Sequence, residues 1–136
     1  MGLTQRSPGH RALALIVDYA QDEREAYAEY FAQHGISTVE AEDGVHGIAK
    51  AASLLPDVIA VDLRASHPDV VDMCFRLKRQ DSTRHIPIIA VTESYTANEV
   101  EQALRAGCAS VLMKPCLPSV LLAEIHRILA VPESTA

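Results

Sequence analysis

Four polar side chains that could take part in chemistry each end a short run of apolar residues. They are Asp18, Asp62, Thr92 and Lys114. Two carboxylates that lie close together repel each other, which raises the pKa of one of them unless a cation compensates. An acidic pair facing Lys114 and a divalent ion, with the hydroxyl of Thr92 beside them, would suit an oxyanion. One polar residue at a strand end commonly means only that the chain reaches the surface, so the argument depends on all four.

The residues around these side chains predict the elements that must position them. Short apolar runs without helical period alternate five times with longer segments that have it, a pattern typical of βαβ units around a parallel sheet. The predicted strands span residues 12–18, 36–41, 57–62, 86–92 and 109–114. Because the carboxyl ends of parallel strands share one edge of the sheet, where ligands bind, we expect the four side chains to converge there.

Start and stop signals predict five helices between and after the strands. Polar N-cap residues, prolines in a first turn and glycines after a last turn are the signals concerned. The expected starts are Asp22, Asp43 or Gly44, Pro68, Thr96 and Pro118, and the expected stops are Gly35, Pro56 and Gly107. Together the elements predict one α/β domain at residues 12–130, with frayed tails at 1–11 and 131–136.

Composition limits the class of protein. A chain of 136 residues with 49% hydrophobic content fits one domain, and its formal net charge of −6 disfavours binding to nucleic acid or anionic membranes. No apolar run approaches the roughly 20 residues of a membrane span, and no secretion signal is present at the start, so we expect a cytoplasmic protein. Cys74, Cys108 and Cys116 form no C-x-x-C pair and are interpreted as small core residues.

The order of these motifs resembles the receiver domain of bacterial two-component response regulators, over nearly the whole chain from residue 12 to 129. The matching segments are the apolar runs that end in Asp18, Asp62 and Thr92, together with Ala106-Gly107 and Lys114-Pro115. The resemblance implies a flavodoxin-like fold, a doubly wound parallel (βα)5 sheet with strand order 2-1-3-4-5.

The resemblance also implies a chemistry. Asp62 would accept a phosphoryl group from a histidine kinase or a phosphotransfer protein, Thr92 would hydrogen-bond that group and Lys114 would pair with it. The implied cofactor is Mg²⁺, held by Asp18, Asp62 and the backbone carbonyl of Arg64. We expect a signalling domain and not an enzyme, and an aspartyl phosphatase is disfavoured because Arg64 stands where such an enzyme carries a second acid.

Partner binding is the expected route of output, since no effector domain follows residue 131 unless the chain is a fragment of a longer one. In the family the surface concerned is formed by the fourth helix, the fifth strand and the fifth helix, here residues 96–129. A downstream protein is the expected partner there, and a homodimer stays open. Direct contact with nucleic acid or membrane is not expected.

Several positions depart from the family's pattern. Tyr19 stands where the family has the second acid of a pair, which should weaken Mg²⁺ binding by at least ~10-fold. Asp22 could supply a substitute acid, although its expected role is a helix cap. Val111 replaces an aromatic switch residue, so a large rotamer change is unavailable there. Arg64 and Ser94 lie where the family tunes the lifetime of the phosphoryl group.

These departures leave two functions open. Asp62, Thr92 and Lys114 together favour a phosphorylatable receiver. Tyr19 and Val111 favour the alternative, a pseudo-receiver that keeps the fold and acts as a protein interaction module without phosphate.

Overall fold

Five parallel strands form the central sheet, in the order β2-β1-β3-β4-β5. The computed structural model describes residues 11–130, so the predicted tails lie outside the described residues except for Arg11. The strands are β1 (Ala12–Val17), β2 (Ile36–Ala41), β3 (Val58–Leu63), β4 (Ile88–Thr92) and β5 (Ser110–Met113). The helices are α1 (Gln21–Gln33), α2 (Gly44–Leu54), α3 (Pro68–Arg79), α4 (Ala97–Arg105) and α5 (Pro118–Leu129). The predicted flavodoxin-like fold and strand order are confirmed.

Helices cover both faces of the sheet, so its strands are buried on two sides. One apolar cluster lies under α2, α3 and α4 and includes Leu15, Ile59 and Leu77. The other lies under α1 and α5 and includes Phe31 and Leu121. Close packing in these two cores holds the strands in place, and with them the residues at the carboxyl edge of the sheet. Within residues 11–130 no helix is both long and apolar enough to cross a membrane.

Most predicted helix boundaries are confirmed. The side chains of Asp43 and Thr96 each accept a backbone N–H in the first turn of α2 and α4. Pro68 and Pro118 occupy the first turn of α3 and α5, where a missing N–H costs nothing. After α1, Gly35 takes a φ of +85°, a left-handed backbone that glycine adopts without strain.

The predicted cap of α1 is wrong. The N-cap position is held by Ala20, which makes no side-chain cap, and Asp22 is an exposed residue of the first turn. The reason lies just before the helix, where Asp18 Oδ1 accepts the backbone N–H of Ala20 at 2.8 Å. A carboxylate from the end of β1 therefore helps to set the chain entering α1, and Asp22 is not needed for it.

Three predicted carboxyl ends of strands differ by one residue, and the predicted starts of β3, β4 and β5 differ by one or two. Asp18 and Lys114 lie one residue beyond β1 and β5, whereas Asp62 is the second-last residue of β3. Backbone hydrogen bonds nevertheless continue past the strands. The N–H of Asp18 donates to the Ala41 carbonyl at 3.0 Å, and that of Lys114 donates to the Thr92 carbonyl at 2.8 Å. The backbone at both residues is thus held by a neighbouring strand.

Candidate functional site

Asp62 and Lys114 form an ion pair at the carboxyl edge of the sheet. Lys114 Nζ lies 2.7 Å from Asp62 Oδ1, and Asp62 is only 4% exposed. The atoms are not aligned as a hydrogen bond, and Asp62 Oδ1 accepts no regular hydrogen bond among the described residues. Burial lowers the pKa of Lys114, but Asp62 and Glu23 outweigh it and the net shift is upward. Lys114 is therefore a permanent positive charge beside a buried carboxylate.

Arg64 covers the other oxygen of Asp62. Its Nε donates to Asp62 Oδ2 at 2.5 Å, and its Nη2 lies 3.7 Å from Glu23 Oε2. The hydrogen bond to Asp62 raises the pKa of Arg64 further. One buried carboxylate thus has a cation at each of its two oxygens.

Glu23 is the acid of the site that sequence reasoning missed. It lies in the first turn of α1, and its Oε1 accepts a hydrogen bond from Lys114 Nζ at 3.1 Å. Asp22, considered as the substitute acid, is exposed. The signal was in the spacing, because Glu23 is four and eight residues before Tyr27 and Phe31, the buried residues of α1, and shares their face of the helix. Adjacent helix residues point about 100° apart, so Asp22 faces elsewhere.

Asp18, Glu23 and Asp62 form a carboxylate cluster in which one oxygen from each residue lies within 4.8 Å of the others. Burial raises the pKa of Asp18 to about 7, and its hydrogen bond with Glu23 and the charge of Asp62 add to the effect. Burial also acts to raise the pKa of Glu23, but hydrogen bonds with Asp18 and Lys114 hold it below its usual value. The contact between Asp18 and Glu23 thus acts to raise the pKa of Asp18 and to lower that of Glu23.

Thr92 ends β4 one strand away from Asp62. Its Oγ1 accepts the backbone N–H of Ser94 at 3.0 Å, and no hydrogen bond joins Thr92 to Asp62 in the described part of the chain. Along β4 it shares a face with Ala90, which packs in the cluster under α3 and α4. Thr92, Ser94 and Arg64 line one groove of about 430 Å³ between α3 and α4. These three predicted residues thus line the same groove, and Thr92 does not join the ion pair of Asp62 and Lys114.

Tyr19 makes its contacts outside the carboxylate cluster. Its hydroxyl donates to both carboxylate oxygens of Asp69, at 2.8 and 2.9 Å, and its ring stacks on His67 with centroids 3.6 Å apart. Asp69 Oδ2 also accepts the backbone N–H of Gly44 at 2.7 Å. The residue that replaces the family's second acid therefore ties together the loops that follow β1, β2 and β3.

A second groove, of about 550 Å³, opens beside Lys114 on the side of α1. Its walls include Glu23, Tyr27 and Glu93, so an exposed carboxylate stands at the entrance. Val111, in β5, is half-buried and packs against the cluster under α2, α3 and α4. It has no ring to turn, as the sequence indicates.

Comparison with known proteins identifies the family. A model described as the response regulator receiver domain matches residues 14–126. The chain belongs to this family. It is therefore a receiver domain of two-component signalling, and its five-stranded sheet has the order expected of one.

Curated relatives include both long and short response regulators. PleD of Caulobacter vibrioides is 34% identical over 101 residues, which cover 74% of this chain and 21% of PleD. PilH of Pseudomonas aeruginosa is 29% identical over 119 residues, which cover 88% of this chain and 98% of PilH. The chain thus spans about a fifth of PleD and nearly all of PilH.

Solved structures agree on the fold. The chemotaxis response regulator CheY4 of Vibrio cholerae superimposes with a TM-score of 0.81 at 24% identity, covering 88% of this chain and 99% of that one. The signal receiver domain of a histidine kinase from Syntrophus aciditrophicus gives a TM-score of 0.80 at 26% identity, covering 92% and 95%.

The carboxylate cluster fits the Mg²⁺ that the receiver resemblance implies. Oxygens of Asp18, Glu23 and Asp62 within 4.8 Å of one another are the hard ligands that such a cation prefers. Asp18 and Asp62 were predicted from the sequence, and the structure adds Glu23 beside them as a third carboxylate. The third predicted ligand, the carbonyl of Arg64, accepts the N–H of His67 at 3.0 Å and stays a prediction.

Proposed function

We propose that Asp62 is the phosphoacceptor of this receiver domain. The observation that carries the proposal is the buried ion pair between Asp62 and Lys114, with 2.7 Å between Oδ1 and Nζ. Phosphoryl transfer is catalysed mainly by positioning and by compensating the charge of the transferred group. Lys114, anchored through its backbone to Thr92, supplies such a charge at a fixed place.

The donor in this proposal is a phosphohistidine of a histidine kinase or phosphotransfer protein. An oxygen of ionised Asp62 attacks phosphorus, a P–O bond forms as the P–N bond breaks, and the histidine nitrogen keeps the electron pair and takes up a proton. Lys114 pairs with the phosphoryl oxygens. Thr92 accepts the Ser94 N–H, which leaves its own hydroxyl proton to donate to the group. The domain receives the group and is not proposed to be an enzyme.

The cofactor in this proposal is Mg²⁺, held by Asp18, Glu23 and Asp62. Mg²⁺ supplies charge neutralisation for the phosphoryl oxygens when it is bound. The chain's own contribution is to keep three carboxylates within 4.8 Å, although burial, and to a smaller extent the charges of Asp62 and Glu23, raises the pKa of Asp18. Glu23 offsets the loss of affinity expected from Tyr19.

Output is proposed to pass through α4, β5 and α5 to a downstream protein or a second copy of the chain in the cytoplasm. The supporting observation is a set of large apolar side chains on these elements and the loop before α5 that are about half exposed or more. They are Leu104, Met113, Leu117 and Val120. Apolar groups of this kind are common at protein interfaces.

Labelling with a small phosphodonor tests the phosphoacceptor. Incubation with acetyl phosphate and Mg²⁺ should add one phosphoryl mass to the wild-type protein, measured by intact mass spectrometry. Asp62→Asn should gain none, whereas Asp72→Asn, which alters an exposed carboxylate of α3, should be labelled as the wild type is. Equal labelling of the wild type and Asp62→Asn would contradict the proposal.

The alternative of a phosphorylation-independent interaction module is not favoured. Tyr19 and Val111, which suggested it, make their contacts away from Asp62. If the alternative held, the wild type would gain no phosphoryl mass and partner binding would be the same in Asp62→Asn.

A further inference from the structure

We propose that Arg64 is an internal counter-ion that pairs with Asp62 in the metal-free protein and must leave Asp62 before a divalent cation binds. This inference rests on the proposed function and concerns the regulation of the same site. Its starting point is that both oxygens of Asp62 already have a cationic partner, Lys114 at Oδ1 and Arg64 at Oδ2. At rest, Asp62 therefore has no oxygen free of a cation.

The position of Arg64 makes it a competitor of a metal ion. Its guanidinium lies between Asp62 and Glu23, at 2.5 Å from an oxygen of the first and 3.7 Å from an oxygen of the second. These are two of the three residues whose oxygens form the carboxylate cluster. A cation held by that cluster and the guanidinium of Arg64 would draw on the same two carboxylates, so we expect their contacts with Asp62 to compete.

Charge balance points the same way. Three carboxylates in the cluster face two side-chain cations, Lys114 and Arg64. A divalent ion added while both cations stay would leave excess positive charge in a largely buried site, which is unfavourable. Withdrawal of one side chain restores the balance.

Arg64 is the cation that can withdraw. The Lys114 side chain is 12% exposed, and its backbone N–H donates to the carbonyl of Thr92 in β4. The Arg64 side chain is 34% exposed, lies one residue beyond β3 and lines the groove between α3 and α4. Glu99 lines the same groove and offers a carboxylate to the displaced guanidinium. The receiver thus exchanges Arg64 for a metal and keeps Lys114.

Side-chain NMR can follow this exchange directly. Arg64 Nε–H, bonded to Asp62, should give a protected cross-peak in metal-free protein. On titration with Mg²⁺ this cross-peak should move or vanish with the same midpoint as the backbone amides around Asp62. The Nε–H groups of Arg76 and Arg127, which are bonded to Asp72 and Glu124, provide matched controls in the same spectrum and should not change.

A variant adds a second measurement. Arg64→Met keeps the backbone carbonyl at residue 64 and removes the charge, and it should bind Mg²⁺ about tenfold more tightly than the wild type. Arg76→Met should bind as the wild type does.

Two outcomes would overturn the proposal in distinguishable ways. If amides around Asp62 shift with Mg²⁺ while Arg64 Nε–H stays bonded, the exchange is wrong and the proposed function stands. If neither the wild type nor Arg64→Met shows Mg²⁺-dependent shifts, the cluster is not a Mg²⁺ site and both the metal assignment and the exchange fail.

Discussion

At the scale of single residues, the site depends on an acid from a helix in place of one from a strand end. Glu23 hydrogen-bonds with Lys114 and lies beside Arg64, so it stabilises both cations as well as joining the carboxylate cluster. Tyr19, at the position of the missing acid, contributes nothing to that cluster. In the proposed function, a carboxylate from the first turn of α1 thus takes the place of the acid that the motif lacks.

Replacement of Glu23 should therefore weaken Mg²⁺ binding. Glu23→Gln keeps the length of the side chain and removes its charge, so the Mg²⁺ affinity should fall by about tenfold or more. Titration of the backbone amide shifts with Mg²⁺ measures the affinity. Asp22→Asn is the matched control, since it removes a neighbouring but exposed carboxylate of the same helix turn and should leave the affinity unchanged. A loss of affinity only in Asp22→Asn would show that the side chains are assigned the wrong way round.

At the scale of elements, the loops after β1, β2 and β3 are joined by one hydrogen-bonded group. Asp69, in the first turn of α3, accepts from the Tyr19 hydroxyl and from the backbone N–H of Gly44. The contact is close enough that a β-carbon at Gly44 would collide with the Asp69 carbonyl. Tyr19 thus helps to fix the loops that carry Asp18 and Arg64.

Removal of the Tyr19 hydroxyl tests this structural role. Tyr19→Phe leaves the stack on His67 but takes away the hydrogen bond that the hydroxyl shares between the two Asp69 oxygens, and should lower the free energy of unfolding by about 0.5–1 kcal/mol. Urea unfolding measures the loss. Tyr95→Phe, at an exposed loop position, should cost nothing measurable. Phosphoryl labelling should persist in both variants, so a Tyr19→Phe protein that folds normally but is not labelled would place Tyr19 in the chemistry instead.

At the scale of the whole molecule, α4 is the described helix with the fewest buried residues. It buries only Ala103 among its own residues, whereas α3 buries Val70, Met73, Cys74 and Leu77. Segments with few buried contacts open or move at low cost in free energy. Because α4 borders the groove that Arg64 and Thr92 line, a change at Asp62 can reach the proposed output surface through it.

Loss of Lys114 should separate phosphorylation from this response. Lys114→Ala should still allow some phosphorylation, because the carboxylates proposed to hold Mg²⁺ remain, but should abolish the amide shifts of residues 96–111 that beryllofluoride causes in the wild type. Two-dimensional NMR measures the shifts. Lys50→Ala, on α2, should respond as the wild type does. Wild-type shifts confined to residues that touch Asp62 would contradict a conformational output.

Local signals explain which parts of the fold could be predicted. The strands were found because buried parallel strands are apolar throughout, and the caps Asp43 and Thr96 because a short polar side chain bonds a nearby N–H whatever lies farther away. The same signal failed at Asp22, since the chain entering α1 bonds to Asp18 from another element. A capping residue can be predicted from the sequence only where no residue from another element bonds the same helix start.

The sequence by itself determined the fold class and, through the family resemblance, the strand order. It also determined that Asp18, Asp62 and Lys114 meet at one edge of the sheet, because the carboxyl ends of parallel strands lie together. Only the tertiary structure decided the other partners of Asp62. Burial of Tyr27 and Phe31 sets the rotation of α1 and so turns Glu23 toward the site. Spacing along the chain indicates the face of α1 that carries Glu23, but its contacts, and those of Arg64, depend on side-chain reach across separate elements.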